Sequence, residues 1–144
     1  APGSWSQYIS RNFSNSKIIS IDLKDIDPIK NLVHIKGDFT EEQQKKYIKN
    51  YFGKKVDLIV SDMAVNTTGN KNLDSIKTNS IVIDVLKFSS LNLADNGKIF
   101  FKFFNGLESE TIIKYVKKNF STHRILKPDS SRKASKEVYM LCSC

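Results

Sequence analysis

The chain has 144 residues, 40% of them hydrophobic and 26% charged, the composition of an ordinary soluble globule of one domain. No stretch approaches the ~18 consecutive apolar residues that a membrane helix requires. The formal net charge of +8 favours polyanionic partners, nucleic acid first, although a chain this rich in Lys and Asn can owe part of it to composition bias.

In chain order, "APGSWSQY" opens with a Pro2-Gly3 turn into a helix starting at Ser4. In an α/β chain such a turn normally follows a strand, and no strand precedes it here. "KIISIDL" (17–23) is a β-branched apolar run and predicts a strand; "LVHIKGD" (32–38) predicts a second, weaker one. Thr40 is expected to cap a helix through "EEQQKKYIKNYF", with acidic residues early and Lys later. "VDLIVSD" (56–62) predicts a strand. A long helix follows from Asp74, stopped by Gly97 of "DNG". "KIFFKFF" (98–104) predicts a strand, 108–120 an amphipathic helix, 123–127 a strand and 136–144 a last strand. Alternating strands and helices imply an α/β fold with a mostly parallel sheet. The final strand, with no helix before it, should run antiparallel.

Ligands of such sheets bind outside the carboxyl ends of the strands. Those ends carry Asp22, Asp38, Asp62 and Lys102, and the reversed last strand brings Glu137 to the same rim. Each alone reads as a solvated charge; five together predict a site. Asp22 lies about nineteen positions after Gly3, where a carboxylate accepts hydrogen bonds from the ribose of a nucleotide cofactor. G-x-G-x-x-G and P-loop signatures are absent. That favours a nucleoside cofactor without phosphates, S-adenosylmethionine, over NAD. Lys102 inside "IFFKFF" is either a snorkelling lysine or a partly desolvated amine suited to general-base work. Cys142 and Cys144 are badly placed to pair and read as ordinary thiols of a reducing, intracellular setting. His34 and His123 stand apart, so no metal site is expected.

With "APGSWSQ", "SDMA", "FFKFF", "KPDSSR" and "SKEVY" in this order, the chain resembles the FtsJ family of S-adenosylmethionine-dependent RNA 2′-O-methyltransferases over essentially its whole length. The resemblance implies a Rossmann-like methyltransferase fold and a Lys-Asp-Lys-Glu tetrad. Asp62, Lys102 and Glu137 match its last three members. It assigns Gly3 and Trp5 to the cofactor loop, Asp22 to the ribose, Asp38 and Phe39 to the adenine, and Asp62 to the methionine end. The tetrad's first Lys and the first strand would lie upstream of Pro2. The chain is therefore expected to be one methyltransferase domain, 1–144, incomplete at its N-terminus. Ser4 stands for the usual second Gly, and Val65 for the Pro of "SDMAPN".

The expected reaction is attack of a ribose 2′-hydroxyl on the cofactor's methyl group. Lys102 acts as base or as the group holding the nucleophile, and Asp62 and Glu137 orient it. RNA would approach over Lys117, Lys118, Arg124, Lys127, Arg132, Lys133 and Lys136, with Lys127, Ser131 and Arg132 the named contacts. The resemblance favours ribosomal RNA over tRNA, with a monomer acting. Rival readings are an NAD oxidoreductase, a base methyltransferase and a non-catalytic RNA-binding or assembly scaffold.

Overall fold

A computed structural model describes residues 3–65, 68–106, 108–127 and 136–144. The elements run α1 (Ser4–Asn12), β1 (Ile18–Asp22), β2 (Leu32–Lys36), α2 (Glu42–Phe52), β3 (Val56–Ser61), α3 (Lys71–Asn92), β4 (Leu93–Phe104), α4 (Ser109–Asn119), β5 (Thr122–Leu126) and β6 (Glu137–Ser143). They divide into two compact units, one up to Gly53 and one from Lys54.

In the first unit β1 and β2 pair in parallel, from Ile18 opposite Leu32 to Asp22 opposite Lys36. Gly3 caps α1 in the left-handed region at φ 81°, where an L side chain is strained. Thr40 does not cap α2. The N-cap is Glu41, and Thr40 gives both its backbone N–H (2.8 Å) and its hydroxyl (2.7 Å) to Asp38 Oδ1. An acceptor two residues back competes successfully for the hydroxyl that would have served the helix. Gly53 ends α2 at φ 66°, its N–H returning to the Lys49 carbonyl at 2.9 Å.

The second unit is a four-stranded sheet in the order β3-β4-β6-β5. β3 and β4 are parallel, and β6 runs antiparallel to both its neighbours, so β3, β4 and β5 share one direction. The last strand of the sequence is thus inserted between β4 and β5. Strand alternation gives the sheet one closed face. Ile99, Phe101, Phe103, Met140 and Cys142 are at most 1% exposed, and they meet the buried sides of α3 (Val82, Val85, Leu86) and α4 (Ile112, Val116). Burial pushes the Cys142 thiol up to about 12. The opposite face carries Phe100, Lys102 and Phe104 of β4 beside Leu141, Tyr139 and Glu137 of β6.

Helix α3 begins and ends elsewhere than expected. Its cap is Asn70, whose side chain accepts from the Asn72 and Leu73 N–H groups at 3.2 Å, rather than a start at Asp74. Its end is Asn92, and Gly97 is not its stop. The chain enters β4 at Leu93 and bulges. Val56 faces Leu93 but Leu58 faces Lys98, so β3 advances two residues while β4 advances five. Asn96 takes the left-handed conformation at φ 62°. Gly97 is needed because a Cβ there would stand 2.7 Å from the Ala94 carbonyl oxygen.

Candidate active site

Three polar side chains gather where β3, β4 and β6 come together. Ser61, the last residue of β3, is in register with Phe101, so the next residue, Asp62, falls beside Lys102. Across β4, Lys102 faces Tyr139 and Phe104 faces Glu137. The Asn105 N–H donates to the Lys136 carbonyl at 2.8 Å. By the alternation of an antiparallel ladder, the Lys102–Tyr139 and Phe104–Glu137 pairs are then non-hydrogen-bonded, the kind whose side chains approach most closely.

Lys102 Nζ lies 2.7 Å from Asp62 Oδ1 and 4.0 Å from Glu137 Oε1. The lysine side chain is 11% exposed, the two carboxylates 43% and 42%. The amine is sunk and the acids stand at the rim, so a buried cation is paired where an unpaired one would be costly. Lys102 is therefore not a snorkelling lysine. Beside the cluster, on the same face of the sheet, Phe100 and Tyr139 stack at 5.5 Å with an interplanar angle of 10°. Burial raises the Tyr139 phenol above its ordinary value; Asp62 and Glu137 add to the rise and Lys102 opposes it. The phenol stays protonated at neutral pH. In the sequence Tyr139 falls inside "SKEVY", where nothing assigns it a role. Its spacing of two from Glu137 was the available signal, because residues two apart on a strand share a face.

The remaining predicted residues lie in the first unit. Asp22 ends β1, exposed, and accepts the Lys24 N–H at 2.9 Å through one oxygen. Its own carbonyl takes the Gly37 N–H at 2.9 Å, which ties the strand end to the loop bearing Asp38. The two hydrogen bonds from Thr40, side chain first, hold the Asp38 carboxyl below its ordinary value. Phe39 is buried, with the Lys45 ammonium 5.8 Å from its ring centre. Gly3 and Trp5 sit at the N-terminal end of α1. Lys127, Lys117, Lys118, Arg124 and Lys136 are exposed on the second unit. Ser131, Arg132 and Lys133 lie outside the described residues.

The sequence profile of the FtsJ-like methyltransferases matches residues 1–144. The chain belongs to that family. Among FtsJ-like relatives, the ribosomal RNA large subunit methyltransferase E of Pelagibacter ubique is 45% identical over 142 residues, which cover 99% of this chain and 70% of that protein. The crystal structure of a Plasmodium falciparum protein named as a ribosomal RNA methyltransferase superposes with a TM-score of 0.83 at 30% identity, covering 99% of this chain and 80% of that one. A Streptococcus mutans methyltransferase crystallised with S-adenosylhomocysteine shares the fold at a TM-score of 0.56 and 13% identity, covering 99% and 80%. The α/β fold with a reversed last strand expected from the strand pattern, and the methyltransferase fold implied by the resemblance, are thereby borne out.

Proposed function

We propose that this chain methylates a ribose 2′-hydroxyl of ribosomal RNA, using S-adenosylmethionine. The observation that carries the reading is the amine of Lys102 held 2.7 Å from Asp62 and 4.0 Å from Glu137. The family supports methyl transfer, and the names borne by its relatives support ribosomal RNA.

The residues of the first unit suit a nucleoside. Asp22 and Asp38 put carboxylate acceptors on two linked strand ends, and the donors of a nucleoside are its ribose hydroxyls and exocyclic amine. Gly3 opens the N-terminus of α1 without a side chain. Asp22 would hold the ribose, Asp38 and Phe39 the adenine, and Gly3 and Trp5 the cofactor loop. When bound, S-adenosylmethionine supplies a methyl group made electrophilic by its sulfonium.

Lys102 holds the ribose 2′-oxygen and, once its ammonium has released a proton to solvent, takes the hydroxyl's proton as the neutral amine. Asp62 and Glu137 fix the amine and share the charge of the ammonium that results. A positive charge that forms between two carboxylates is stabilised as it develops, without reorganisation. Positioning should contribute roughly 7–11 kcal/mol, and proton transfer about 10²–10⁴-fold in rate. Lys127, Ser131 and Arg132 would meet RNA phosphates or sugars.

The test is methyl transfer from labelled S-adenosylmethionine into ribosomal RNA or ribosomal particles, and separately into tRNA, followed by nucleoside mass analysis. A 2′-O-methylated nucleoside from ribosomal RNA, lost in Lys102→Ala, is expected. Cofactor binding without transfer to either RNA would overturn the reading.

A further inference from the structure

Helix α3 buries two adjacent polar residues, Thr78 at 1% exposure and Asn79 at 3%. Asn and Thr are poor choices for a helix interior, where Ala or Leu would form the helix better and enter an apolar core without cost. Each is bonded to backbone outside its own helix. Thr78 Oγ1 accepts the Val65 N–H at 3.2 Å, three residues after Asp62. The Asn79 carboxamide makes a reciprocal pair with Phe104, donating to its carbonyl at 2.9 Å and accepting its N–H at 2.9 Å.

The second contact resembles one rung of a sheet. β3 accompanies β4 only as far as Ser61 opposite Phe101. Because the Asn105 N–H faces β6, the Phe104 N–H and carbonyl face the other way, where no strand among the described residues pairs with them. Asn79 supplies one donor and one acceptor on that edge, as an adjacent strand would. It thereby carries β4 past its parallel neighbour, through Lys102 and on to the residue opposite Glu137.

We propose that Thr78 and Asn79 are a positioning pair that sets the spacing of Asp62 and Lys102; this rests on the methyl-transfer reading above. Thr78 fixes the loop that begins at Asp62, and Asn79 fixes the strand end that bears Lys102. Consecutive residues of one helix tie both segments to the same rigid element, so the 2.7 Å ion pair is held from behind. The pair touches none of the reacting atoms.

The experiment compares Thr78→Val, Thr78→Ser and Asn79→Asp with the unsubstituted protein. Thr78→Val keeps the shape and removes the hydroxyl; Thr78→Ser returns it. Asn79→Asp keeps the acceptor for the Phe104 N–H and loses the donor to its carbonyl. Measured are kcat, the KM for S-adenosylmethionine and for ribosomal RNA, the melting temperature and the 13Cε resonance of Lys102, assigned with Lys102→Arg. Expected are a kcat lowered at least ~10-fold in Thr78→Val and Asn79→Asp, both KM values within about twofold, and near-complete recovery in Thr78→Ser. The Lys102 resonance should move in the first two and return in the third. Lower melting temperatures with unchanged kcat and an unmoved resonance would reduce the pair to a structural role and overturn the proposal. If the unsubstituted protein transfers no methyl group, the resonance alone decides, and it is the functional reading that fails.

Discussion

Lys102 pairs with two acids that remain open to water, and this asymmetry separates its effect on stability from its effect on rate. A sunk ion pair loses hydration that the attraction between its members only partly returns. Replacing Lys102 with Met fills the same volume beside Phe100 and Tyr139 and leaves Asp62 and Glu137 to solvent. Thermal unfolding of Lys102→Met should therefore occur at the same or a higher temperature, while methyl transfer falls about 10²–10⁴-fold. Tyr139 provides a second reading of the same environment. Its phenol is held above the ordinary 10.0 chiefly by burial. The folded state therefore keeps a proton that the unfolded state gives up near pH 10, and stability is lost as pH rises through the folded value. Denaturant unfolding followed from pH 9 upward should show that alkaline loss diminished in Tyr139→Phe. The phenol absorbance near 295 nm should lose one late-titrating group.

At the scale of elements, the bulge in β4 makes Gly97 a packing constraint rather than a helix stop. Gly97→Ala should cost about 1–3 kcal/mol in chemical denaturation, because backbone, not a mobile side chain, stands in the way. Asn70→Ala should cost about 1 kcal/mol through the lost cap of α3. The strands were legible because runs such as "KIISIDL" and "KIFFKFF" carry their signal within a few residues, and the structure moves their ends by one or two positions outside the bulge. Helix ends were less so. Asp74 and Thr40 carry cap-forming side chains, but Thr40 is spent on Asp38, and Asp74 accepts the Thr68 N–H and hydroxyl. The proposed catalytic trio, Asp62, Lys102 and Glu137, was readable through the family motifs. Asn79 was not, because its partner is a backbone 25 residues away and nothing local announces it.

For the molecule as a whole, most candidate cofactor residues and the candidate chemistry fall in different compact units, with Asp62 counted in both roles. Asp22, Asp38 and Phe39 belong to the first, Asp62, Lys102 and Glu137 to the second. Substitutions should separate accordingly. In calorimetric titration Asp22→Ala should weaken S-adenosylmethionine binding at least ~10-fold, whereas Lys102→Ala should leave it within about twofold and remove turnover.

The insertion of β6 between β4 and β5 also bears on when the enzyme comes into being. During synthesis β5 emerges before the strand that is its sheet partner, and Asp62 and Lys102 are complete well before Glu137 leaves the ribosome. A chain arrested after Lys127 would hold β5 without a ladder, the closed face without Met140 and Cys142, and the ion pair without its second acid. Long-range pairings of this kind form late, since loop closure must precede any reward from contact. On the proposed reading the three-residue cluster is complete only once β6 has paired with β4, so a chain arrested after Lys127 should show no methyl transfer.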